Sequence, residues 1–480
     1  MARIELTFSW AGRTWTFGDH LIGTEWTQTL PIASGGGADL ASVSVTLDLG
    51  VDVAALVAAG HDLAQATGTL TLDDVVVLVG RAIGPTYGDP SEPPGVVRLT
   101  IRQSVIDDTS LWPPPGLVID TTTWPNAPDS VKGRVYPQVW GAPASDDSCA
   151  GSPALLVEYT ISGGHQYLLV HGASAGGVTA VRIISITAAL AADFTIIHMT
   201  DGRGQQVAVV DLEENAAPFG VSGDGDEFWC MWDAGQPRSG LAGDVVADML
   251  ALMAIKTDAG RVAAAIPALN AYSLAFYIDE RINPREWLTA HLIDILPIVL
   301  VRDAGGLYPA VWRAAVTTAD AVAHLVIGRP DCIATSAISY TGDPLNSFTL
   351  RYKLRADTGD MLSVVTADST NHYYAELSLN RYRGDAHDGR WEAELETSVV
   401  YDVATAERIA HERVRRLALS RRQLEVWCDR QVWSHIRPGD LVRLTDSARS
   451  LSEALAWVET RADDEDGMRL TLTLQEDPIL

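Results

Sequence analysis

Short runs in which apolar and polar residues alternate recur along the 480-residue chain. Near its start Ile4, Leu6 and Phe8 alternate with Glu5, Thr7 and Ser9. Val43, Val45 and Leu47 alternate with Ser44, Thr46 and Asp48, and Leu70 and Leu72 with Thr69 and Thr71. A period of two turns one face of a strand to a core and the other to water. Residues 96–101 close this first block. It is therefore expected to be mostly β, with one short helix at 53–59 and a long loop at 84–95 rich in Pro, Gly and acids. A second β block is predicted from runs at 154–161, 166–171, 178–186, 194–198 and 205–212.

The middle reads differently. Val245, Val246, Met249, Leu250, Leu252 and Met253 recur at helical spacing, which predicts a helix over 243–256 with Asp244 as a cap. A second helix is predicted at 284–296, with Pro284 in its first turn. Residues 298–302 and 307–312 flank Asp303-Ala304-Gly305-Gly306 and read as a hairpin. Strands are expected at 347–354, 393–400, 423–433 and 468–474, with a helix at 404–419. A chain of this length exceeds one core. The expected division is a β domain at 1–110, a Pro/Trp-rich connector at 111–150, a β-rich insertion at 151–239, a mixed α/β domain at 240–345 and a closing β domain at 346–480.

Two local phrases stand out. Arg437-Pro438-Gly439-Asp440 precedes the alternating Leu441-Val442-Arg443-Leu444-Thr445. Pro438 presets φ, Gly439 permits a positive φ, and Asp440 is placed to bond the turn's own amides. In the connector, Lys132-Gly133-Arg134-Val135-Tyr136-Pro137-Gln138-Val139-Trp140-Gly141 follows the polyproline-like Trp112-Pro113-Pro114-Pro115. Trp112, Trp124, Tyr136 and Trp140 in so short a stretch argue for a packed loop, since aromatic rings bring large areas to bury.

The segment from Trp433 to Asp446, with W-x-x-x-x-P-G-D-L-V-x-L-T-D, resembles the closing segment of tail-tip (baseplate) hub proteins of siphophage-type phages and gene transfer agents. The phrase 132–141 resembles K-G-x-x-Y-P-x-V-x-G of phage tail proteins. The likeness covers mainly 240–480, with an echo at 1–145; the block 151–235 fits it least. It implies a mainly β, multidomain fold with α+β parts, in which tube-like β-barrel or sandwich domains each carry an associated helix. The segments 53–59 and 404–419 are the helices expected in those places, and part of 1–110 and the closing domain are expected to share one fold. It also implies a homotrimer in the virion, at the distal end of the tail, joining a six-fold tube to a three-fold tip around a channel for DNA. The partners it implies are a distal tail protein, a tape measure protein and tail fibre or tip/spike proteins.

Composition narrows the function classes. Apolar residues make up 47%, ordinary globular usage. The net charge of −27 is spread along the chain. A phosphate binder needs clustered cations, so specific nucleic-acid binding is not expected, whereas a surface that DNA passes without sticking is compatible. Lys occurs only at positions 132, 256 and 353, with Arg supplying the other basic residues. Cys149, Cys230, Cys332 and Cys428 are scattered, without the C-x-x-C spacing of a zinc site, and fit folding in a reducing cytosol. The opening residues already form a strand pattern, without a signal-peptide core, and no membrane span is expected.

Chemistry-bearing patterns are few. Gly172-Ala173-Ser174-Ala175-Gly176 matches G-x-S-x-G and follows a strand. A nucleophile elbow must run into a helix, yet 178–186 is β-branched and reads as a strand, so Ser174 is expected to lie in a loop between strands. A tail-borne or secreted hydrolase, using Ser174 or a carboxylate pair, is the rival reading. A carbohydrate-binding β module is the third. The acidic runs 222–227 and 463–467 lack the ligand spacing of a calcium loop. His165, His171 and His198 share a block without ligand spacing. Arg408, His411, Glu412, Arg415 and Arg416 read as a solvated or interface face of a helix. No phosphate-cradling glycine motif occurs. The expectation is a non-enzymatic protein with no catalytic, cofactor-binding or metal residues, and no cofactor.

Overall fold

The computed structural model describes residues 4–17, 26–29, 42–72, 75–88, 95–102, 111–143, 152–159, 165–171, 180–185, 188–190, 195–211 and 228–234, and 238–475 apart from short breaks at 254–255, 304–305, 314–315, 335, 343, 356–358, 385–388 and 464–466. The fold is mainly β in several sheets, with helices set against them.

The first block begins with β1 (Ile4–Trp10), β2 (Arg13–Phe17), β3 (Trp26–Thr29) and β4 (Ser42–Asp48), followed by α1 (Val53–Ala58). Then come β5 (Thr67–Leu72), β6 (Val75–Tyr87) and β7 (Val96–Arg102). Six of these strands form one sheet in the order β2-β1-β5-β6-β7-β4. The alternation seen in the sequence is its cause: Leu6, Phe8, Val45, Leu47, Leu70, Val97, Leu99 and Ile101 all turn inward into one core. Asp52 starts α1 by accepting a hydrogen bond from Ala55 N–H at 3.1 Å. The expected loop at 84–95 is shorter than read. β6 continues through Gly84 and Pro85, because a register shift between Ile83 and Thr86 takes up these two residues as a bulge, with Gly84 at φ +57°.

A short strand, β8 (Gln138–Trp140), lies in the connector. The block after it contains β9 (Ser152–Tyr159), β10 (His165–His171), β11 (Ala180–Ser185), β12 (Ala188–Leu190), β13 (Thr195–Thr200), β14 (Gln206–Asp211) and β15 (Phe228–Ala234). They form a seven-stranded sheet ordered β12-β11-β15-β9-β10-β14-β13. Connector residues Leu117, Ile119, Trp124 and Tyr136 pack on it.

The mixed region holds α2 (Ala242–Leu252), α3 (Ala259–Leu269), β16 (Phe276–Ile278) and α4 (Pro284–Leu288), then the hairpin of β17 (Ile298–Asp303) and β18 (Gly306–Val311). Asp244 is not the cap of α2. Leu241 holds that position without a side-chain bond, and Asp244 instead accepts from Ser239 Oγ at 2.6 Å. The helix expected over 284–296 is α4 followed by a π-helical turn, Thr289–Ile293. The sequence reading missed α3, which Asp258 caps through Arg261 N–H at 3.0 Å and which carries Pro267 inside.

Next come β19 (Ala323–Val326), β20 (Cys332–Ala334), β21 (Ser339–Tyr340), β22 (Ser347–Arg355) and β23 (Asp360–Ala367), then α5 (Tyr373–Arg381), β24 (Glu392–Glu396) and α6 (Val403–Leu417). The chain closes with β25 (Arg422–Cys428), α7 (Arg430–Trp433), β26 (Leu441–Asp446), β27 (Leu451–Asp463) and β28 (Met468–Leu474). One core joins α2, α3, α4 and β16 to the three-stranded sheet β23-β22-β24 and α6. The predicted strand 423–433 is two elements. The chain leaves β25 at Asp429, whose carboxylate accepts from Gln431 N–H at 2.8 Å and starts α7. α5 was also missed.

The last sheet is ordered β19-β26-β27-β28-β25-β20. Its sequence strand, helix, strand, strand, strand repeats that of the first sheet. In the first, β4-α1-β5-β6-β7 brings β4 back against β7; in the last, β25-α7-β26-β27-β28 brings β25 back against β28. The four strands measure 7, 6, 13 and 7 residues in both. Both 13-residue strands, β6 and β27, carry register shifts against each neighbour within the repeat. The matching helix is α7 rather than the expected 404–419 segment, which is α6 and precedes β25. The outer strands differ: β1 runs antiparallel to β5, whereas β19 runs parallel to β26. Finally, β3 leaves the first block to pair with β27, Thr29 opposite Thr460 and Trp26 opposite Asp463.

Candidate assembly site

The Pro-Gly-Asp turn is a latch. Gly439 has φ +86°, and Asp440 Oδ2 accepts from Arg437 N–H at 2.8 Å, as the sequence indicated. The remaining capacity of that carboxylate goes to Arg261 on α3, whose Nη1 donates to Oδ1 at 2.8 Å and Nη2 to Oδ2 at 3.3 Å. The Arg261 guanidinium lies 4.7 Å over the Tyr308 ring, and Tyr308 Oη donates to Pro438 O at 3.3 Å. Arg461, buried on β27, holds the carbonyls of Ser434 and Ile436 at 2.9 and 2.7 Å. The hairpin β17–β18 packs Val299, Val301 and Tyr308 on Leu441 and Trp457. The turn thus fastens the closing sheet to α3 and the hairpin. Sequence reading did not reach Arg261, because its helix went unrecognised.

The second phrase is a packed crossing. Gly133 and Gly141 take φ +87° and +63°. Trp140 is wholly buried and stacks on Phe276 at 4.9 Å, with the Arg238 guanidinium 4.7 Å over its ring. Tyr136 is also wholly buried. Its Oη donates to Asp201 Oδ2 at 2.7 Å and accepts from Trp124 Nε1 at 3.0 Å. Burial, with the Asp201 carboxylate beside it, pushes the Tyr136 phenol well above its usual pKa. Tyr136→Phe is expected to cost about 2 kcal/mol, because two buried groups lose their partner while the ring volume is kept. Chemical denaturation checks this, and a loss near zero would mean that water replaces the hydroxyl.

The α6 residues read as a solvated or interface face instead form an internal seam in part. Glu412 accepts from Tyr272 Oη. Arg413, beside them but not among the residues so read, donates to Asp294 O, and its guanidinium lies 4.9 Å over Phe348. Arg416 lies 6.0 Å from the centre of the Trp312 ring, and burial lowers its pKa to about 10. Arg408 remains exposed, as the sequence reading expected.

Several surfaces stay open among the described residues. The sheet β23-β22-β24 is covered on one face by α6, while the other shows Leu362 and Val364 beside Arg351 and the row Glu392, Glu394 and Glu396. Ile333 and Tyr340 are exposed along the β20–β21 edge of the closing sheet, and Val79, Ile83 and Tyr87 along β6. A groove of about 510 Å³ is lined by Gly141, Leu241, Ser273, Lys353, Tyr401 and Asp402. Asp402 is committed there as the cap of α6, accepting from Thr405 N–H at 2.8 Å.

Ser174 and the acidic run 222–227 lie outside the described residues, as does most of 463–467. The elements flanking Ser174 are strands, β10 and β11, so the expected strand after the motif is present. The two are not hairpin partners: β15 and β9 lie between them. His171 is held between Gln138 Oε1 at 3.3 Å and Gln205 Oε1 at 3.0 Å, and burial lowers its pKa. Among the described residues, no group of three His, Cys, Asp or Glu is placed to hold a metal, and no helix is long and apolar enough to cross a membrane. Cys332 and Cys428, read as scattered, face each other with Sγ atoms 3.9 Å apart.

The chain is similar over its length to known tail proteins. It shares 12% identity with the tail protein from Neisseria meningitidis MC58, covering 99% of this chain and 97% of that one at a TM-score of 0.41. It shares 12% with the 43 kDa tail protein of prophage MuSo2 from Shewanella oneidensis, covering 98% of each at 0.36. A chain from the virion of a native gene transfer agent particle is 16% identical, with 72% of this chain and 83% of that one covered at 0.39. These likenesses are distant. No curated protein matches. Residues 302–457 match the family described as putative phage tail protein, a span that contains the hairpin strand β18, α6 and the Pro-Gly-Asp latch.

Proposed function

We propose that the chain is a non-enzymatic structural part of a phage-type tail, and within it the hub that joins a six-fold tube to a three-fold tip. The observation that carries this reading is the repeated strand–helix–three-strand unit of the first and last sheets. Two like units per chain, in a ring of three chains, present six like faces at one end while keeping three-fold symmetry at the other. In this reading the domains at 1–110 and 346–480 are the tube-like pair, 111–150 and 240–345 connect them, and 151–239 is an insertion. The partners are a distal tail protein, a tape measure protein and tail fibre or tip proteins. The net charge of −27 supports a lumen that repels phosphates and lets DNA slide.

The test is imaging of assembled particles, because a ring interface draws stability from its neighbours and the isolated chain can remain monomeric. Three copies at the distal end of the tail, with lumen-facing Asp and Glu, are expected. A ring of another copy number overturns the hub reading, and a lumen lined mainly by Arg overturns the reading of the charge.

A further inference from the structure

Cys332 and Cys428 stand opposite one another where β20 pairs with β25. The surrounding bonds define the kind of pair. Cys332 N–H donates to Arg329 O and Cys332 O accepts from Gly328 N–H, both away from β25. The adjacent pair is bonded, Asp429 N–H donating to Asp331 O at 2.9 Å. The cysteines therefore occupy a non-hydrogen-bonded position, where antiparallel strands bring Cα atoms to about 4.5 Å, within the roughly 4.4–6.8 Å that a disulfide spans. Both side chains point into the same core. Cys332 sits on a three-residue edge strand whose middle residue, Ile333, is 59% exposed. Local opening of so short an edge exposes Cys332 without unfolding the sheet.

We propose that Cys332 and Cys428 are a cross-strand disulfide site, closed by exchange with a low-molecular-weight disulfide of the glutathione type, which fastens β20 to β25. Cys332 loses its proton to water, and its thiolate attacks one sulfur of the small disulfide. That S–S bond breaks, and one small thiolate leaves and takes up a proton. Cys428 then loses its proton and attacks the Cys332 sulfur of the mixed disulfide, releasing the second small thiol. The protein gives up two electrons and two protons, and the small disulfide receives them as two thiols. In the reduced state the contact with Cys332, and burial, raise the pKa of Cys428, which disfavours its thiolate while the edge is closed. The closed bond encloses the β22–β24 sheet, α5 and α6 in one covalent loop.

The experiment incubates the folded full-length chain with oxidised glutathione, alkylates the remaining thiols and maps peptides by mass spectrometry. A peptide linking Cys332 to Cys428 is expected, reversible by dithiothreitol, with a thermal transition raised by several degrees. Cys428→Ser is expected to lose both the link and the shift. The wild-type peptide map stands whether or not that variant folds. The proposal is overturned if both thiols remain alkylatable, if the link forms only in denaturant, or if either cysteine pairs with Cys149 or Cys230 instead.

Discussion

Gly141→Ala is expected to destabilise the protein by about 4 kcal/mol, at the upper end of what single substitutions do. Two causes add. The backbone at 141 takes φ +63°, which costs a residue with a Cβ about 1–2 kcal/mol. A Cβ there would also stand 2.2 Å from Leu274 O and 3.1 Å from Ala275 Cα, both backbone atoms that cannot rotate away. Gly133→Ala separates the causes. Its φ of +87° is of the same kind, but nothing lies within 4 Å of the added carbon, so about 1 kcal/mol is expected. The measurement is the soluble yield and unfolding midpoint of the two variants side by side. Equal losses would mean that the chain at 274 gives way and that the crossing is not tight.

Asp440→Ala is expected to cost about 3 kcal/mol. The substitution leaves Arg437 N–H without its acceptor and Arg261 without its bidentate partner, while the Arg261 guanidinium stays over Tyr308. Arg261 keeps 31% of its side-chain surface, so water recovers part of the loss and the value belongs at the low end for a buried pair. A double-mutant cycle with Arg261→Met measures the coupling. Additive losses would show that the ion pair contributes nothing and that Asp440 serves only its own turn.

The contrast between these two residues shows what was legible. Asp440 was read as bonding its own turn because Arg437 is three residues away and turn chemistry is local. Its partner Arg261 was invisible, lying on the unrecognised α3, where alanines blur the helical stripe and Pro267 argues against a helix. The strands of the first and last blocks were legible because one face of each is buried and the other wet. The same alternation misled at 423–433: Val432 continues the apolar pattern past Asp429, and only a cap interaction marks the break. α5 went unread in a tyrosine-rich segment between strands. For the two cysteines, spacing along the chain carries no information, because their meeting depends on which strand pairs with β25.

The crossing of β3 into the closing sheet bears on how the chain is made. Residues 26–29 leave the ribosome long before their partner residues on β27. The closing sheet therefore cannot gain this strand until β27 has been made. Pairing across so long an interval of sequence is slow, because loop closure precedes any reward from contact. Until then β27 presents the backbone of residues 460–463 as a free edge, a place where a neighbouring nascent chain can pair out of turn. The consequence is an order of synthesis and completion in which β3, made long before β27, is among the last strands to find its place.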